Sequence, residues 1–307
     1  MAAKHKHDPI FIVLIIAVVL VFILTMVSNA VTQAGGSVED GSVAENRTFL
    51  TEINPAPWAF AIWGPIYLWM ACWIVYVIVC IFKTNSDGPV YLNPPVINYG
   101  FLSVYTLNLA ISIGWLFAFA ADAQIWSLVC LIGLQVTLYI VMICYYIPVK
   151  KYTVELAKTQ RWNLLCLRIL VQNGVALYAS WCTVASLLGF TIVLVHLSGW
   201  EQAAACCFSL SILSLELILY FIFDLIIFDK YTRYTFTTYP TVMWALIAII
   251  VNNFEEDRPH MVFAIALLCT ATIMCAVKVV VSSRRCQVDP LDVDPVDQLK
   301  MTTVEKA

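Results

Sequence analysis

Long apolar runs separated by short polar joins dominate this chain. A helix crossing about 30 Å of hydrocarbon needs roughly 20 mainly apolar residues. Runs of that kind extend from Ile10 to Val31, Trp58 to Phe82, Ile97 to Ala121, Ile125 to Ile147, Val175 to Leu197, Ala203 to Phe228, Tyr239 to Phe254 and Met261 to Ser282. The pattern predicts an all-α polytopic membrane helix bundle of about eight transmembrane helices. The seventh run is the weakest, because Pro240 leaves a core of little more than Thr241 to Val251. Such a short helix must thin the bilayer or sit among neighbours, and seven full crossings are the alternative count.

The first run is longer than the apolar region of a cleavable signal peptide and ends at no clear small-x-small site, so it is expected to remain as a helix. With residues 1–9 as a cytoplasmic tail, Lys83, Lys150, Lys151, Lys158, Arg161, Arg168, Lys230, Arg233, Arg284 and Arg285 fall on the cytoplasmic side. Arg47 and Arg258 fall outside, and the bias matches the positive-inside rule. Asn46-Arg47-Thr48 in the outer loop 32–57 is a glycosylation acceptor pattern that has meaning only on that side. The polar segment 283–307, with Asp289-Pro290 and Asp294-Pro295, is expected to be a disordered cytoplasmic tail. An N-terminus without Arg-rich amphipathic character, together with Asn46, favours the plasma membrane or an endolysosomal membrane over a mitochondrial one.

Composition narrows the function. The chain is 62% apolar and 12% charged with a net charge of −3, against roughly 45–50% and 25% for soluble domains. So few charges cannot solvate a soluble fold, and there is no basic field for nucleic acid. No Walker loop, HExxH, GxSxG or dinucleotide fingerprint is present, which argues against an enzyme. The 11 cysteines lie within runs or on the cytoplasmic side. They read as small apolar packing residues rather than a disulfide framework. Cys286, beside Arg284 and Arg285, is a palmitoylation candidate, and a solvated free thiol explains it equally well. With 4 histidines, two of them in the N-terminal tail, an internal histidine metal site is not expected.

Ionisable residues inside membrane spans are costly and usually face protein or water. Glu216 falls near the middle of the sixth run, and Asp224 follows about 80° further around the helix. Lys278 in the last run can meet Asp224 at similar depth, which would make that pair structural. The sharper reading makes Glu216, and with it Asp224, a proton- or substrate-coupling group. Among the 10 tryptophans, Trp162 and Trp200 suit interfacial belts. Trp58, Trp69 and Trp73 fall within about 60° of one another on an ideal helix. Gly64-Pro65 interrupts that helix, where a proline favours a kink.

The segment Asn54-Pro-Ala-Pro-Trp-Ala-Phe-Ala-Ile-Trp-Gly-Pro-Ile-Tyr67 resembles the signature of the TspO/MBR family, the tryptophan-rich sensory and translocator proteins, especially its longer members. Leu107 to Trp115 with Phe117 and Phe119 is similar to the family's third-helix block, and Leu177-Tyr-Ala-Ser-Trp181 with Ala185 to its fifth-helix block. The resemblance covers residues 10–197 and implies a five-helix bundle there, with 198–282 as three additional helices. It also implies a pocket for porphyrins, sterols or other apolar polycyclic molecules, and a homodimer. Trp58, Phe60, Trp63, Tyr67, Trp115, Tyr178, Trp181 and Ala185 are the ligand-binding positions it carries over. Aromatic faces suit a flat macrocycle without strict hydrogen-bond geometry. Ser112, Leu177 and Gly189 stand where the family has Asn, Pro and Asn, so two polar pocket groups are absent. The leading expectation is a non-enzymatic membrane binding or sensory protein for an apolar polycyclic ligand such as porphyrin, heme or sterol, with no required cofactor. The alternative is a proton-coupled secondary transporter using Glu216 or Asp224, and a tetrapyrrole-modifying enzyme, for which the resemblance gives some precedent, is the third and least favoured class.

Overall fold

The computed structural model describes residues 7–36, 49–85, 88–255 and 257–288. Asn46 and most of the expected C-terminal tail lie outside them. Helix α1 (Pro9–Gly36) starts with proline in its first turn, where no N–H is required, and the Asp8 carboxylate accepts from the Ile10 and Phe11 amides. A 3₁₀ turn, Pro57–Ile62, leads into α2 (Trp63–Phe82). A two-stranded antiparallel ribbon, β1 (Thr84–Asn85) and β2 (Gly88–Pro89), precedes α3 (Tyr99–Ala120). Then come α4 (Gln124–Thr159), α5 (Arg161–Leu197) and α6 (Gln202–Ile227). A helical turn, Asp229–Thr232, leads to α7 (Thr238–Asn253) and α8 (Pro259–Val288).

Of these helices, 7 are long and apolar enough to cross a membrane. The exception is α7, whose 16 residues span about 24 Å. It still reaches both ends of the bundle. At one end the Tyr239 hydroxyl donates to Asp224 Oδ2 at 3.1 Å, and at the other Asn253 Nδ2 donates to the Asn54 carbonyl at 2.6 Å. Its shortness is tolerated because Val242, Ala245, Leu246, Ala248 and Ile249 are buried among neighbouring helices.

Helical structure outruns the apolar runs. The segment between Ile147 and Val175, expected as a join, continues α4 and begins α5. Val149, Thr153 and Leu156 keep one face of α4 buried while Lys150 and Lys151 emerge on others, so an amphipathic turn replaces the uniformly apolar one. Pro148 cannot donate to the carbonyl of Cys144, one turn earlier. The Asn98 side chain fills that vacancy with a bond of 2.8 Å, and its Oδ1 caps α3 through the Phe101 amide. Similarly α8 runs past Ser282 through the partly buried Cys286 to Val288, so residues 283–288, expected in the tail, are helical.

At the centre stands α5, which packs against α2, α4, α6 and α7, while α3 lies between α1 and α4, and α8 joins α6 and α7. Every residue from Asn173 to Val184 is buried. A π-helical stretch, Leu167–Gln172, widens α5, and the Ile169 carbonyl accepts from Trp69 Nε1 at 3.0 Å. Gly174 makes this approach feasible, since a Cβ there would lie 2.7 Å from the Trp69 ring.

Candidate functional site: an aromatic row and two buried carboxyls

The 3₁₀ turn, α2, α3 and α5 converge on one aromatic cluster. Tyr67 lies one turn after Trp63 on α2, so their rings share a face, 5.5 Å apart and 24° from parallel. Trp63 meets Trp115 of α3 at 5.6 Å and 29°, and Trp115 meets Phe119 at 5.5 Å and 29°. Tyr67, Trp63, Trp115 and Phe119 thus make a row of near-parallel, partly exposed rings. From α5, Tyr178 stands edge-on to Trp63 at 5.9 Å, and Trp181 stands edge-on to Phe60 at 6.1 Å. Tyr178 and Trp181 are each only 1% exposed, so Tyr178 is a fixed backing for the row at Trp63, and Trp181 is a fixed backing for Phe60. Ala185, one turn beyond Trp181 on the same face, is partly buried against the core.

Two buried donors lie beside the row: Trp115 Nε1, which has no partner, and the Ser112 hydroxyl, which is directed to the Tyr178 side chain. Ser112, one turn before Trp115, is 1% exposed and adjoins the Tyr178 side chain. The substitution of Ser for the family's Asn therefore leaves a small polar group in place. Asn108 is committed elsewhere: its Nδ2 donates to the Leu134 carbonyl at 3.1 Å and to Thr137 Oγ1 at 2.8 Å, fastening α3 to α4. At Gly189 a Cβ would meet Leu131 Cδ1 at 3.2 Å, so the absent Asn side chain is exchanged for close approach of α4.

Trp58 is not in the cluster. It lies in the 3₁₀ turn, is 42% exposed, and stands edge-on to Trp244 of α7 at 4.8 Å. Trp58 leaves the expected column with Trp69 and Trp73, since three residues per turn in the 3₁₀ segment break the α-helical register before α2 begins. Trp69 turns to α5, and Trp73 packs edge-on against Phe101 and Tyr105 of α3. Pro65 causes no mid-helix kink because α2 begins at Trp63, which places the proline in the first turn. Trp244 also donates through Nε1 to the Ala59 carbonyl at 3.0 Å, and the Ala56 amide donates to the Ala248 carbonyl at 3.0 Å. No sequence signal pointed to this clamp.

The two carboxyls of α6 have separate surroundings. Asp224 Oδ1 lies 2.6 Å from Lys278 Nζ of α8, and both side chains are almost fully buried. The ammonium also donates to the Thr232 carbonyl at 3.1 Å. Nearby, Asp229 contacts Arg285 at 2.9 Å and accepts from Arg233 Nε at 3.0 Å. Burial raises the Asp229 carboxyl, but the two guanidinium groups outweigh it and hold the group below its ordinary value. Arg233 is therefore engaged in the fold. Glu216, two turns earlier on α6, has a buried Oε2 with no partner and faces a cavity between α4, α5, α6 and α7.

A family model described as TSPO-like protein matches residues 11–279. The chain belongs to the TSPO-like protein family. The match runs beyond residues 10–197 and includes most of α8, so α6 to α8 are part of this TSPO-like protein's family region. That extent agrees with the bonds joining the signature segment to α7. Neither the curated proteins nor the solved structures include a match to this TSPO-like protein. It is an integral, multi-pass helical membrane protein of that family.

Proposed function

We propose that this TSPO-like protein binds a flat, apolar polycyclic ligand of the porphyrin or sterol class against the row Tyr67, Trp63, Trp115 and Phe119, and holds it without turning it over. The observation that carries the reading is the pairing of this row with the unpartnered Trp115 donor, beside the Ser112 hydroxyl. Partly exposed rings supply area and stacking, each favourable ring contact contributing about 0.5–1.5 kcal/mol. A buried donor without a partner costs about 1–3 kcal/mol, so a ligand acceptor placed beside it recovers that loss. Tyr178 braces the row from α5 at Trp63, and Trp181 braces Phe60. We orient the chain with its Lys- and Arg-rich end in the cytoplasm, as the positive-inside rule favours.

The test is a titration of the full chain in nanodiscs with protoporphyrin IX and with a fluorescent conjugated sterol. Saturable binding to either, weakened at least tenfold by Trp63→Ala and unaffected by Trp58→Ala, is expected. Equal sensitivity to both substitutions, or no saturation with either ligand, would overturn the placement at the row.

A further inference from the structure

Helix α5 presents different chemistry on its two sides. Tyr178, Trp181 and Ala185 face the aromatic row, while Ala176, Ala179, Ser180 and Thr183 lie about 180° around the same helix. These small residues floor a cavity of about 70 Å³, walled by α4 and α6 and closed at one end by α7. The volume accommodates a small polar head, since one water needs roughly 10–15 Å³ on this measure. Tyr139 at the rim is 43% exposed, so the cavity opens sideways from the bundle, toward the acyl chains of a surrounding bilayer.

The polar groups of this cavity are almost all satisfied from within the protein. Tyr139 shares a bond of 2.8 Å with Thr183, and Gln135 Nε2 donates to Tyr139 at 3.1 Å. Ser180 donates to the Ala176 carbonyl, and Tyr220 bonds Thr238 at 3.1 Å. Glu216 is the exception: Gln135 adjoins it, but Oε2 has no partner. No lysine, arginine or histidine pairs with it among the described residues, and Lys278 is held by Asp224. A carboxyl with spare acceptor capacity, set in a mainly apolar cavity that opens to lipid, calls for a donor from outside the chain. A cation attached to an apolar body meets both demands, because the walls take the body and the carboxylate takes the charged N–H.

We infer that the Glu216 cavity is a second binding site, independent of the aromatic row, for a lipophilic amine whose protonated head contacts Glu216 while its apolar tail extends past Tyr139 into the bilayer. The probe is a diazirine-tagged N,N-dimethyldodecylamine, applied to the full chain in nanodiscs and mapped by peptide. Labelling is expected to concentrate on the segments of α4, α5 and α6 around Tyr139, Thr183 and Glu216. Untagged amine should abolish it, whereas 1-dodecanol at equal membrane concentration should not. Glu216→Gln, which preserves shape and removes the charge, should reduce labelling at least tenfold, and Glu216→Asp should retain part of it. Trp63→Ala should leave labelling unchanged, so failure of the aromatic-row reading is distinguishable from failure of this one. Labelling spread evenly over lipid-facing helices, equal competition by dodecanol, or undiminished labelling of Glu216→Gln would overturn the inference.

Discussion

Removing Lys278 while keeping its shape, as in Lys278→Met, isolates the role of the most buried ion pair among the described residues. The substitution leaves the Asp224 carboxyl fully enclosed with the Tyr239 hydroxyl as its remaining side-chain donor, and deprives the Thr232 carbonyl of its ammonium. Breaking a buried pair on one side costs about 3–5 kcal/mol, because the other charge is stranded, whereas replacing both members with apolar groups is often neutral or stabilising. Lys278→Met should therefore lose about 3–5 kcal/mol in equilibrium unfolding from mixed micelles, and Asp224→Leu/Lys278→Met should recover most of it. The coupling from the complete double-mutant cycle should then be at least about 2 kcal/mol. A single-mutant loss below about 1 kcal/mol, or a double mutant no better than the single, would refute the assignment of Asp224 as a structural anchor.

Gly174→Ala drives a methyl to 2.7 Å from the Trp69 ring, which is held by its bond to the Ile169 carbonyl. The expected loss is about 1–3 kcal/mol in the same unfolding assay, largely relieved by adding Trp69→Leu. Glu201 caps α6 by accepting the Ala204 and Ala203 amides, and these bonds hold its carboxyl below its ordinary value. A depressed carboxylate contributes stability above its unfolded pKa and loses it as pH falls through the folded one. Wild type and Glu201→Gln, followed by thermal unfolding across acidic pH, should therefore differ at neutral pH and converge in acid. A constant gap across that range would contradict the cap.

The membrane helices were legible because lipid demands long apolar runs and closed backbone hydrogen bonding, and both leave plain marks in sequence. The extensions of α4, α5 and α8 were not, since they depend on one-sided burial of residues such as Val149 and Leu156 in polar surroundings. Most of the aromatic row was readable from the signature and the two later blocks. Trp58 was misplaced because a 3₁₀ turn changes its bearing, and the contact that claims it, Trp244, lies far along the chain. Ser112 registered in sequence as a missing Asn, and only burial beside Trp115 and Tyr178 gives its hydroxyl a place in the site. Glu216 and Asp224 are both acids on one apolar helix, but Lys278 at similar depth already set Asp224 apart in sequence, and the structure bears out that pair. Their difference comes from what faces them, a lysine of α8 for one and a cavity for the other.

The most direct test of the aromatic-row account is the affinity of protoporphyrin IX for wild type and Trp115→Phe, read from the porphyrin's own absorption. The substitution keeps a ring in the row and deletes the unpartnered N–H. The account predicts saturable binding by wild type and about tenfold weaker binding by the variant, the size of one lost hydrogen bond. Equal affinities, or no saturable binding by wild type, would contradict it.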